Sequence, residues 1–441
     1  MQNIPPQPKV QLSARIPGLL SGADNQVEVL IQIQAPDELD PLRSRAPLNL
    51  AIVLDRSGSM HGEPLHHAKR CAKYFVSQMQ ADDQVAIVAY DNRARTLLSC
   101  QAVGDRSKAM TAIDQIHAGG STDLHQGWMT GVSELEPHTQ PNTISRVLLL
   151  SDGRANQGIS DTNQIAEHCQ KAAANAISTS TYGLGWNFNE DLMTSMAQHG
   201  EGQSYFGETA EDLLEPFQQE FDLLSSLYAR KVRLAIECEP GITAEVLNTY
   251  MGNREKNLPD LAHGAEIWAL VRFSIPSQFS GSGVGESIRV GEFRVTGVDL
   301  EGHAIQIGTA ECVLPSLSVF MYESLSENEL VARRLGEVMA ARLQDDARRA
   351  AQMGHWDEVQ RLLAKARELA GTNPWVEAII NQLERLANNM DEIRFSKEAR
   401  YSSLKLSTRY AAFNEGIDDQ AQDAKASSFT RRKRQQGKGS A

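Results

Sequence analysis

Hydrophobic positions along this chain change period several times, and each change predicts a change of structure. Near the N-terminus Val10, Leu12 and Ala14 alternate with polar residues, as do Val27, Val29, Ile31 and Ile33. A period of two predicts half-buried antiparallel strands, with PGLLSGADN as the turn between them. At LNLAIVLDRSGSM the alternation stops. Leu48, Leu50, Ala51, Ile52, Val53 and Leu54 form a nearly continuous apolar run, as expected of a strand buried on both faces of a parallel sheet. Strands and helices then alternate to about residue 228. Leu65, Ala68, Ala72, Phe75, Val76 and Met79 repeat at helical spacing behind Pro64, and QVAIVAY (84–90) is the next strand. A short edge strand at Thr96–Leu98 and helices marked by Ile113 and by Trp128 follow. RVLLL (146–150) is a second buried strand, followed by a helix at 161–176, a strand at 178–184 and a helix at 190–199. This order predicts a doubly wound, mainly parallel sheet.

The period returns to two between 229 and 318. Val232, Leu234 and Ile236 alternate, then Ile267, Ala269, Val271 and Phe273, then Phe293 and Val295. Gly- and Ser-rich turns between them predict an antiparallel β-sandwich. The strands within 1–45 are too few to stand alone. They are expected to complete this sandwich, so that the α/β segment (46–228) is an insertion. A separate hairpin packed on the α/β sheet is the alternative. Residues 319–414 read as helical hairpins. GHWDEVQRLLAKAREL followed by NPWVEAIINQL looks like a single tetratricopeptide-like pair, with no second copy to make an array. Residues 415–441 read as a disordered basic tail.

Composition narrows the function. A chain of 441 residues holds roughly two to four domains. The formal net charge of −13 argues against a general nucleic-acid binder. No apolar stretch approaches the ~20 residues of a membrane span, and the proline-rich start has no apolar signal region. Cys71, Cys100, Cys169, Cys238 and Cys312 are scattered without paired spacing. They read as reduced thiols in a cytoplasmic protein.

Candidate chemistry lies where buried strands end. Asp55, Ser57 and Ser59 follow the first; Thr122 follows the glycine pair Gly119-Gly120; Asp152 ends RVLLL in LLLSDG. Ligands of open α/β sheets bind beyond the carboxyl ends of the strands, so these oxygens suit a hard cation. In this order they resemble the metal-ion-dependent adhesion site of von Willebrand factor type A domains, over about residues 46–228. The phrases DRSGSM, LLSDGRANQG and GLGWNFNEDLM also resemble bacterial intracellular members and, loosely, inter-α-trypsin inhibitor heavy chains. The resemblance implies a Rossmann-like α/β domain. It implies that Ser57, Ser59 and Thr122 give hydroxyls to the metal, with Asp55 and Asp152 binding directly or through water. Mg²⁺ is the expected ion, with Mn²⁺ or Ca²⁺ as alternatives. Two anionic donors at most balance the cation, which leaves it open to a partner's Asp or Glu.

The expected function is therefore a non-enzymatic, metal-dependent protein-interaction module acting as an adaptor or scaffold. The resemblance suggests an AAA-type ATPase or a Ser/Thr kinase or phosphatase as partner. A metal that only staples the fold is the second reading. A metal-dependent hydrolase is the third, disfavoured because no nucleophile or base motif accompanies the site. Arg56 is expected either to face solvent or to attract an acidic ligand, and Asp123 to cap a helix. The eleven histidines are read as forming no cluster with acids, and His66-His67 as surface or packing residues.

Overall fold

The N-terminal strands β1 (Lys9–Ala14), β2 (Leu19–Leu20) and β3 (Asn25–Gln34) precede a long α/β segment and find their partners beyond it. In this computed structural model residues 7–36, 45–152, 157–209, 211–280, 283–371, 373–408 and 411–412 are described. The expected tail at 415–441 lies outside them, as does Arg154 of the LLSDGRANQG segment.

The α/β unit, Asp40–Leu227 with the turn Asp299–His303, begins with β4 (Leu48–Asp55). All eight of its residues are buried. A short 3-10 turn, Gly58–Met60, leads into α1 (Glu63–Gln78), which has Pro64 in its first turn. Pro is tolerated there because that N–H has no helical partner. Next come β5 (Gln84–Tyr90), β6 (Ala94–Ala102), α2 (Ser107–Asp114) and α3 (Leu124–Leu135). The unit continues with β7 (Ile144–Ser151), α4 (Thr162–Ala174), β8 (Ile177–Leu184), α5 (Glu190–His199), β9 (Glu201–Gly207) and α6 (Glu211–Ser225).

The sheet order is β6-β5-β4-β7-β8-β9. All neighbours are parallel except β6, which runs antiparallel to β5. The edge strand expected at Thr96–Leu98 is longer than its apolar residues suggested, because pairing with β5 holds its exposed flanks in line. The chain leaves β4 toward β5 on one side and returns to β7 on the other. The strand order therefore reverses at β4, the switch point where doubly wound sheets bind ligands. Helix α3 packs closely on this strand: a Cβ on Gly131 would stand 2.6 Å from a methyl of Val53.

The other unit is built from the described parts of Met1–Leu39, Tyr228–Val298 and Ala304–Gly416. Its later strands are β10 (Leu227–Cys238), β11 (Thr243–Val246), β12 (Glu255–Asn257), β13 (Leu261–Ala262), β14 (Ala265–Ile275), β15 (Ser287–Val298) and β16 (Ala304–Leu317). One sheet runs β1-β3-β14-β11 and the other β12-β10-β15-β16-β2. β3 pairs with β14 along its whole length, from Gln34 opposite Glu266 to Asn25 opposite Ile275. Val29, Ile31, Ile267, Val271, Phe273, Phe293 and Val295 share the core between the sheets.

Helices α7 (Val319–Glu323), α8 (Glu329–Gln352), α9 (Trp356–Ala370), α10 (Pro374–Asn388) and α11 (Glu392–Thr408) follow. A last short strand, β17 (Ala411–Ala412), pairs with β14. Val331 and Val338 of α8 cover Leu30, Trp268 and Leu270 on the back of the first sheet. The Arg334 guanidinium lies 4.8 Å from the centre of the Trp268 ring and pairs with Glu337 at 2.9 Å.

Candidate functional site

Asp55 is the last residue of β4, one step past the pair Leu54–Leu150, and is fully buried. Its Oδ1 accepts the Ser57 backbone N–H at 2.8 Å, which turns the chain back so that Ser57 and Ser59 face the same edge. Its Oδ2 accepts the Ser151 hydroxyl at 2.7 Å. The Ser57 and Ser59 hydroxyls are 3.1 Å apart. Ser59 Oγ donates to Asp152 Oδ1 at 2.8 Å. Four of the five expected donors are thus joined in one short network.

Thr122, also buried, is carried on a separate loop. That loop is stitched to the serine loop by the backbone: Gly119 N–H donates to Arg56 O at 2.7 Å and Gly58 N–H to Gly120 O at 2.9 Å. Gly120 has φ of +82°, and a Cβ there would stand 2.9 Å from Asp91 Cβ. Only glycine meets both demands cheaply. Asp123 caps α3, its Oδ1 accepting the Gln126 N–H at 3.0 Å.

The electrostatics fit a cation. Four other buried acids are matched by arginine: Asp83 by Arg45, Glu220 by Arg146 at 2.6 Å, Glu28 by Arg15 and Arg272, and Glu337 by Arg334. Among the described residues, Asp55 and Asp152 make no ion pair and instead accept from hydroxyls and a backbone N–H. Burial raises the Asp55 carboxyl above its usual range, against hydrogen bonds from Ser151 and Ser57. Burial also pushes Asp152 up to about 6, with the neighbouring Asp55 charge adding to it and Ser59 opposing it. Two desolvated carboxylates beside three hydroxyls form an all-oxygen donor set suited to a hard divalent ion. The residues fit the group that the sequence motif implies.

Other sequence expectations are revised. Arg56 neither faces solvent nor waits for a ligand: its guanidinium pairs with Asp91, and its Nη1 donates to His117 O at 3.3 Å. Asp91 O in turn accepts the Asp123 N–H at 2.7 Å, so Asp91 braces the threonine loop through both side chain and backbone. Ser151 and Asp91 were missed as supporting residues. Their signal was available, since each stands at the end of a parallel strand beside Asp55. The reading that histidines form no cluster with acids is also corrected. On α1, Glu63, His66 and His67 bring one ligand atom each within 4.8 Å of the others, because positions i, i+3 and i+4 share a helix face.

Comparisons with known proteins agree with this architecture. The family model of the von Willebrand factor type A domain matches residues 49–220. The uncharacterized protein sll0103 of Synechocystis sp. is 28% identical over 218 residues, covering 49% of this chain and 50% of that protein. Inter-alpha-trypsin inhibitor heavy chain H3 of Homo sapiens is 29% identical over 185 residues, 40% of this chain and 21% of its own length. The chain thus spans half or less of these curated relatives. A solved von Willebrand factor type A protein from Catenulispora acidiphila superposes with a TM-score of 0.70 at 16% identity, covering 92% of this chain and 98% of its own. The ArnB paralog VWA2 from Sulfolobus acidocaldarius gives 0.58 at 20% identity, with 90% and 99% covered. Both share the fold across nearly the whole chain.

Proposed function

The chain carries a von Willebrand factor type A domain, a fold commonly used for metal-dependent protein interaction, and we propose that it binds a protein partner through a metal-ion-dependent adhesion site. Asp55, Ser57, Ser59, Thr122 and Asp152 hold a divalent cation, Mg²⁺ in our reading. A bound Mg²⁺ supplies a coordination position that an Asp or Glu of the partner fills. The chain's own residues prepare that event. Asp55 fixes the serine loop, Ser151 holds Asp55, and the Arg56–Asp91 pair keeps the threonine loop against it.

The observation that carries this reading is the pair of buried carboxylates, Asp55 and Asp152, that meet no arginine among the described residues, at the switch point of the parallel sheet. The carboxylate that accepts the Ser59 hydroxyl, Asp152, is itself assigned to the cation in this reading, which favours binding over hydrolysis. We read the chain as an adaptor or scaffold. Free thiols at all five cysteines support a reducing, cytoplasmic setting. No helix among the described residues is long and apolar enough to cross a membrane. An AAA-type ATPase or a Ser/Thr kinase or phosphatase remains the proposed partner class.

Affinity capture in Mg²⁺ with wild type and with Asp55→Ala/Ser57→Ala tests the proposal. The expected result is a set of proteins lost from the variant and lost from wild type in EDTA. If every captured protein survives both treatments while the melting temperature falls, the metal only staples the fold and the adhesion reading fails.

A further inference from the structure

We propose that Glu63, His66 and His67 form a second metal site, for a borderline transition cation of the Zn²⁺ class. Their ligand atoms all lie within 4.8 Å of one another on the first turns of α1. His67 Nε2 is 2.6 Å from Glu63 Oε2, and the two imidazole rings are 5.5 Å apart at 80°. Donors at ~2.0–2.1 Å from a tetrahedral ion stand roughly 3.3 Å from each other. Occupation therefore requires the His67–Glu63 contact to open by less than an ångström and His66 to turn inward. Glu63 and His66 are exposed and free to adjust, while the partly buried His67 anchors the set.

The donor chemistry separates this site from the adhesion site. Two imidazoles and one carboxylate suit Zn²⁺, Co²⁺, Ni²⁺ or Cu²⁺, whereas carboxylate and hydroxyl oxygens suit Mg²⁺. Three protein donors leave a coordination position for water or an incoming side chain. One local term opposes the cation, the positive end of the helix dipole. The Glu63 charge offsets it, and the next cation along the helix, Lys69, is turned to the Asp114 carbonyl at 3.0 Å. The cluster begins three residues after the 3-10 turn that contains Ser59, so the two sites stand on consecutive elements.

The test is a titration of the full chain with Co²⁺ in excess Mg²⁺, followed by visible absorption and repeated with Zn²⁺ as competitor. The expected result is a Co²⁺ band that Zn²⁺ abolishes, that disappears in His66→Ala/His67→Ala, and that weakens in Glu63→Gln. It should persist in Ser57→Ala/Asp152→Asn, which disables the adhesion site. Circular dichroism checks that each variant is folded, and the exposed Glu63 and His66 should tolerate replacement. A band unchanged in the histidine variant overturns the proposal and leaves the His67–Glu63 contact as a simple helix-stabilising pair.

Discussion

Strands β4 and β14 are both buried on two faces, yet only β4 ends in a candidate site. β4 lies between parallel neighbours, β5 and β7. Parallel pairing brings the C-terminal ends of all three to one edge, so Asp55, Asp91 and Ser151-Asp152 arrive together. β14 lies between antiparallel neighbours, β3 and β11, and its last residue Ile275 sits opposite the first residue of β3, Asn25. Antiparallel pairing alternates strand starts and ends along each edge, so no comparable set of strand-end loops is gathered. The second face of β14 is closed by α8 instead, through Trp268 and Leu270. Equal burial thus serves concentration of polar ends in one unit and attachment of a helical layer in the other.

The comparison can be tested by substitutions that act on one side only. The largest stability effect is expected for Trp268→Ala, which removes the contact with α8 and the stacked Arg334. Urea denaturation should lose about 3–5 kcal/mol from that unit, while Mg²⁺ affinity stays within twofold or so. A parallel loss of Mg²⁺ affinity would show that the two strands are not independent.

Asp152→Asn should move stability the other way. It removes a desolvated charge, so the metal-free protein should gain up to about 1–3 kcal/mol, less the hydrogen bond from Ser59. Calorimetric Mg²⁺ binding should vanish in the same variant. The contrasting change Glu337→Gln, where Arg334 loses a buried partner, should destabilise. If Asp152→Asn also destabilises the metal-free chain, the carboxylate is not held at a cost.

The pH dependence follows from the same group. The folded-state value of about 6 lies above the ordinary carboxyl value of 3.8, so its protonation favours the folded, metal-free state. That contribution is complete below the unfolded value and is lost as pH rises through about 6. Mg²⁺ needs the ionised form. The rise in melting temperature on adding Mg²⁺ should therefore be larger near about pH 7.5 than near about pH 5; an equal rise at both would exclude Asp152 as a ligand.

The smallest effect is expected for Gly120→Ala. A left-handed alanine costs roughly 1–2 kcal/mol, and its Cβ would press on Asp91. Mg²⁺ affinity should fall by about tenfold, as for loss of an outer-shell support, with the bulk of the fold unchanged by circular dichroism.

Much of the candidate site was legible because its candidate donors are local to strand ends. D-x-S-x-S writes the serine loop directly: Asp55 accepts the N–H two residues on, a bond that needs no distant partner. Ser151 and Asp91 were less legible. Their roles follow from register, which sets Ser151 beside Asp55 and aims Asp91 at Arg56. The second face of β14 was missed for a related reason. Ile267, Ala269, Val271 and Phe273 read as one alternating face, whereas Trp268 and Leu270 become buried only when a helix more than fifty residues later covers them.

By itself the sequence determined the periods of burial and hence the element types, the alternation of strands and helices in the α/β segment and the five candidate oxygen donors. These depend on interactions between residues near each other in the chain. The tertiary structure alone decided which acids meet an arginine and which do not. It also committed Arg56 to Asp91. Burial and charge pairing at a given atom depend on every element packed around it, and one-dimensional spacing does not carry that information.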